Sequence, residues 1–159
     1  MKFIKRSFLF LCSLMLLVSL AACGEESKVA ASKPLKDIYA DAAAEVTLPE
    51  LMELDETELY TFTGIPAESY TEGVALIPSD AVSGDMFFLF HAADSDSLKT
   101  LKTKLEDFRT QKLNEMNNYL PLEYEKINAS SVTEKGDYVW LVVADDSAKI
   151  HEIIDSSIS

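Results

Sequence analysis

The chain has 159 residues, with 14 basic against 27 acidic side chains and a net charge of −13. That length holds one domain with room for a sizeable core. Such an acid excess excludes nucleic-acid binding through phosphates and repels anionic lipid surfaces, while leaving open attraction to cations or basic partners beside the general service of an acidic surface to solubility.

The N-terminus carries Lys2, Lys5 and Arg6 and no acid, and residues 7–20 are nearly all apolar. A positive start followed by an apolar run of this kind reads as a signal peptide. The run is shorter than the roughly 20 residues of a transmembrane helix. It ends Leu20-Ala21-Ala22-Cys23. An aliphatic residue, two small ones and a cysteine resemble the lipobox of bacterial lipoproteins. That resemblance implies diacylglycerol on the Cys23 thiol, cleavage just before Cys23, and residence on the outer face of the cell membrane. Two acyl chains satisfy the two-signal requirement for stable anchoring. The division expected is a signal peptide over 1–22, a lipidated cysteine and flexible tether over 23–34, and one α+β domain over 35–159.

Removal of Lys2, Lys5 and Arg6 leaves 11 basic against 27 acidic residues, a net charge of −16 over the 137 residues from Cys23 to Ser159. Cys12 leaves with the signal peptide, so Cys23 is the remaining cysteine and no disulfide can form within the mature chain. Residues 24–34 are small, polar and aperiodic, which predicts a tether. Fully extended, those residues reach about 36–40 Å.

Leu35, Ile38, Tyr39, Ala42 and Val46 recur at helical spacing and predict a first amphipathic helix. After Pro49, residues 50–63 carry Leu51, Leu54, Leu59, Tyr60 and Phe62, read as one or two short helices ended by Gly64-Ile65-Pro66. Residues 70–78 predict a strand, Ser83-Gly84-Asp85 a turn, and Met86 to His91 a strongly apolar second strand paired with the first as a hairpin. The longest helix is expected over 94–119, with Asp94, Ser95 or Asp96 as cap and Leu98, Leu101, Leu105, Phe108, Leu113 and Met116 as its stripe. Asn117, Asn118 and Pro121 end it. A third strand is read at 129–133, a turn around Gly136, and a fourth strand at 138–144, apolar on both faces and so suited to the interior of a sheet. A final helix carries Ile150, Ile153 and Ile154.

Two β-hairpins, each followed by a helix in the order ββαββα, predict an α+β fold: a small antiparallel sheet covered by helices on one face.

Leu59-Tyr60 before Gly64-Ile65, the strand after Gly84-Asp85, the segment Tyr119-Leu120-Pro121-Leu122-Glu123, and Gly136-Asp137-Tyr138-Val139-Trp140-Leu141 together resemble the lipoprotein family catalogued as domain of unknown function 4358. The resemblance spans about 35–154 and implies a short surface lipoprotein of low-GC Gram-positive bacteria. It implies no activity and no catalytic residues. Thr61-Phe62-Thr63 stand between Tyr60 and Gly64 where the family has its glycine nearer the tyrosine.

Enzymes need a nucleophile, a base or a metal. The histidines are His91, at the end of the Phe-rich strand, and His151, on the last helix. His91 with Asp94 and Asp96 is a weak metal candidate. The spacing is no recognised ligand set, and helix capping accounts for the two acids. Ser79, Ser83 and Ser95 lack a nucleophile-elbow pattern. Gly64, Gly73, Gly84 and Gly136 are isolated and read as turn positions, not as a phosphate loop. Tyr119 and Glu123 flank Pro121, and Tyr138 and Trp140 alternate on one strand. Together they form a candidate binding patch if exposed, and ordinary core if not.

The expectation is therefore a membrane-anchored accessory or binding lipoprotein with no catalytic residues and no cofactor. Its partners are the membrane, through lipid on Cys23, and an envelope protein or component, and nucleic acid is not among them. At 137 residues the mature chain is too short for a two-lobed solute-binding protein. An envelope hydrolase or metal-dependent enzyme using His91, and a cation-binding module, are the alternatives.

Overall fold

A computed structural model describes residues 29–159. Residues 1–22, read as a signal peptide, together with Cys23 and residues 24–28 of the expected tether, lie outside that range. Among the described residues no helix is long and apolar enough to cross a membrane.

The elements follow from local sequence. Helix α1 (Leu35–Glu45) buries Leu35, Ile38 and Ala42, one face at helical spacing. Its first backbone N–H is satisfied by the Glu72 carboxylate at 2.7 Å. Strand β1 (Leu51–Glu53) follows, then α2 (Glu56–Thr63). Asp55 and Glu58 close a reciprocal capping box on α2, and Gly64 ends it in the left-handed region at φ 69°. Strands β2 (Tyr70–Pro78) and β3 (Met86–Ala92) form the first hairpin. Helix α3 (Ser95–Met116) is capped by the Asp94 side chain, which accepts from the Asp96 and Ser97 N–H groups. Helix α4 (Pro121–Ala129), strands β4 (Val132–Lys135) and β5 (Tyr138–Val143), and helix α5 (Ser147–Ser157) complete the chain.

The five strands form one antiparallel sheet in the order β1-β2-β3-β5-β4. The two hairpins join through β3 and β5, whose register runs from Met86 opposite Val143 to His91 opposite Tyr138. The fold is α+β as expected, but its helices cover both faces of the sheet. On one face Ala75, Ile77, Phe88, Phe90, Val139 and Leu141 pack under α2, α3 and α4. On the other Val74, Leu76, Phe87, Leu89, Trp140 and Val142 pack under α1 and α5. The reason is in the strands themselves. All seven residues of β3 and all six of β5 are apolar except His91, so a single helical layer would leave half of them in water.

Four local expectations are corrected. Residues 51–53 form an edge strand, not helix, because they pair with Leu76, Ile77 and Pro78 of β2. Pro121 does not merely end α3; it opens α4, where its missing N–H costs nothing. Helix α4 then takes Ala129, and the third strand of the two hairpins starts at Val132 instead. Gly73 sits inside β2, not in a turn, because a Cβ there would lie 2.6 Å from the Phe90 ring.

Residues 30–32, expected as part of the tether, are docked on the domain instead. Ala30 and Ser32 donate backbone hydrogen bonds to Ser159 and Ser157 (2.9 and 2.8 Å), and Ser159 returns one to Ala30. The Ala31 N–H donates to the Tyr138 hydroxyl at 3.0 Å. Val29 packs on the β4–β5 turn at Gly136, where φ is +58° and a Cβ would meet Val29 at 2.6 Å. The chain thus joins the domain at the Tyr138 end of β5.

Candidate functional site

Among the described residues, the opposite end of the sheet carries the most exposed large apolar side chains. Helix α3 stops where Asn118 takes a left-handed conformation, φ 70°, which asparagine tolerates. Tyr119 and Leu120 then donate backbone bonds to Met116 (3.2 and 3.1 Å), and Pro121 starts α4 at once. This tight corner turns Tyr119 and Leu122 outward, 84% and 82% exposed. Facing it is the β2–β3 loop, folded by Asp80, whose Oδ1 accepts from the Val82 and Ser83 N–H groups. Val82 is 62% exposed. Val82, Leu120, Pro121, Leu122 and Glu123 line an open depression of about 320 Å³.

Beneath the depression an ionic hub ties the two loops together. The Lys126 ammonium lies 2.9 Å from Asp85, 3.2 Å from Glu123 and 3.2 Å from Asp145. Glu123 also accepts from the Gly84 N–H at 2.7 Å, and Ser83 Oγ donates to Asp85 at 2.7 Å. The close approach needs glycine at 84, since a Cβ would stand 2.9 Å from Ile127 and 3.2 Å from the Glu123 carboxylate. Burial works against the Lys126 charge, but hydrogen bonds to Asp85, Glu123 and Asp145 outweigh it and hold its pKa well above the ordinary lysine value. Lys126 and Asp85 side chains are only 16% and 9% exposed, so this is a rigid mount and not a mobile surface pair. Arg109 strengthens the support by donating to the Ile127 carbonyl and to Glu106.

Of the four residues expected to form a binding patch, Glu123 lines the depression and Tyr119 stands exposed beside it, one residue before Leu120. Tyr138 and Trp140 are not here: both are buried in the layer under α1 and α5. Of the two readings open for Tyr138 and Trp140, the structure gives ordinary core. Interior β5 has a helical layer on each side. The Tyr138 ring stacks on His91 with centroids 4.4 Å apart. Lys126, Asp85, Asp145 and Val82 were invisible as site residues, because they come from separate elements brought together by folding.

The metal candidates are spent on structural roles. His91 Nδ1 is 3.0 Å from the Thr71 hydroxyl. Asp94 caps α3, and hydrogen bonds from Ser97 and then Asp96 keep its carboxyl below the usual range. Asp96 pairs with Lys99 at 2.9 Å. Among the described residues no three histidine, cysteine or acidic side chains are grouped to hold a metal ion.

His151 accepts a hydrogen bond at Nδ1 from the Trp140 indole N–H, 2.8 Å. Burial holds its pKa below the ordinary 6.5. Below that pH the folded state binds fewer protons than the unfolded chain. The stability concerned is complete above about pH 6.5 and is lost as pH falls through the lowered folded value. His151→Gln is expected to flatten the fall in stability between about pH 7.5 and about pH 5, measured by denaturant unfolding with Trp140, the single tryptophan, as probe. Identical slopes in both proteins would refute the assignment.

No curated protein and no solved structure matches the chain. The family described as Domain of unknown function (DUF4358) matches residues 44–144, a stretch that runs from the end of α1 through the whole sheet and includes Val82, Tyr119, Leu122, Lys126, Asp85 and Glu123, with Asp145 one residue beyond it. With well over half of its length matched, the chain belongs to the DUF4358 family.

Proposed function

We propose that the protein is a lipid-anchored extracytoplasmic lipoprotein serving as an accessory or binding module for an envelope protein or component. The sequence Leu20-Ala21-Ala22-Cys23 supports the anchor. Five residues, 24–28, separate Cys23 from the first described residue. Five extended residues reach at most about 16–18 Å, so an anchored domain works close against the bilayer.

The observation that carries the binding role is the exposed apolar patch at Val82, Tyr119 and Leu122, fixed on the buried hub of Lys126. Solvated loops do not ordinarily display large apolar side chains on a rigid mount. The patch lies at the Met86–Val143 end of the sheet, and Val29 joins at the Gly136 end. Those ends are about 17 Å apart along β5. An anchor at Cys23 therefore leaves the patch on the side away from the chain's point of attachment, where a partner can reach it.

Cys23→Ala is expected to abolish palmitate incorporation and to release the protein from the membrane fraction. Processing and membrane retention unchanged in that variant would refute the anchor.

A further inference from the structure

We infer that the Val82–Tyr119–Leu122 patch receives a cationic segment of a partner protein: a large apolar side chain flanked by lysine or arginine. The inference rests on the patch being the binding face and adds the chemistry of what it binds. The segments that build and border it, 79–85, 117–126 and 145–146, carry Asp80, Asp85, Glu123, Glu125, Asp145 and Asp146 against Lys126 alone. That one cation is already held by three carboxylates and is largely buried. The depression thus has an apolar floor and a rim of segments whose net charge is −5, six acids against Lys126.

This arrangement selects among occupants. Anionic headgroups and phosphates meet only repulsion at the rim. A second copy of the chain, docked patch to patch about a two-fold axis, would set the two acidic rims against each other. A segment with basic flanks gains attraction at the rim while its apolar side chain fills the depression. The open depression of about 320 Å³ suits a short anchor in place of a broad protein face.

The test uses the full-length protein in neutral detergent, passed over immobilised peptides. One is an acetylated, amidated peptide of leucine and phenylalanine flanked by lysines. The other has glutamate at every lysine. The lysine peptide is expected to bind at least about tenfold more tightly than the glutamate peptide, and to weaken severalfold between about 0.05 and about 0.5 M salt. The double variant Val82→Ser, Leu122→Ser is expected to lose about tenfold in affinity with an unchanged melting temperature, whereas Tyr60→Ser, on exposed α2, changes nothing. Equal binding of both peptides, or full binding by the double variant, overturns the inference. So does a dimer in sedimentation that disappears in the double variant. Photo-crosslinking from position 122 in cells separates the two levels. Capture at an acidic or uncharged segment overturns the inference but keeps the binding role. Capture of nothing, with no peptide discrimination, overturns both.

Discussion

Phe88→Ala is expected to destabilise the domain by about 3–5 kcal/mol, the cost of deleting a fully buried aromatic ring and leaving a cavity. Phe88 is on β3, the central strand, with 0% exposure. Its ring lies 5.5 Å from that of Phe108 on α3, edge to face, and 6.4 Å from that of Phe90. The loss therefore removes an aromatic contact between the sheet and its longest helix as well as the buried area. A fall in Tm on the order of 10–20 °C corresponds to that range for a domain of this size. Phe88→Leu, which keeps most of the volume, should cost no more than about 1.5 kcal/mol. Denaturant unfolding of the two variants checks both figures, and a Phe88→Ala loss below about 1 kcal/mol would mean that the packing between β3 and α3 is not as described.

The second large effect belongs to the hub. Lys126→Met leaves Asp85 and Glu123 facing each other without their shared cation. Breaking a fully buried pair costs about 3–5 kcal/mol. Asp145 is exposed and water reaches one side of the cluster, so about 2–3 kcal/mol is expected here. The loss should be partly recovered by adding Asp85→Asn, which removes one of the stranded charges. Lys99→Met is the control: Lys99 and Asp96 are 76% and 90% exposed, and water screens their pair so well that its loss should leave stability unchanged. Equal costs for Lys126→Met and Lys99→Met would show that the hub is not a mount. Because the hub joins the β2–β3 loop to α4, its loss should also speed amide exchange at Gly84, whose N–H is held by Glu123.

The two sites differ in how visible they were beforehand. Phe88 stands in the run Met86 to Ala92, where apolar side chains occupy consecutive positions, and such a run announces a buried strand. Lys126 stands on a short helix that starts at a proline, and its three partners lie 41, 3 and 19 residues away. Nothing in local composition pairs them.

The sequence by itself determined the elements whose side chains repeat with a strong period or run unbroken: β2, β3, β5, α1, α3 and α5, and with them the α+β class and the two hairpins. It also carried the family resemblance and brought Tyr119 and Glu123 forward as site residues, since both flank a proline in a polar-apolar corner. The tertiary structure decided what depends on partners distant in the chain. Leu51–Glu53 is a strand because the free edge of β2 offers hydrogen bonds, a backbone property that side-chain periodicity does not encode. Ala30–Ser32 is docked and not tether for the same reason, through main-chain bonds to the C-terminus. Tyr138 and Trp140 are core because helices cover both faces of the sheet. A strand's alternation gives which residues share a face, and only packing says whether that face meets water.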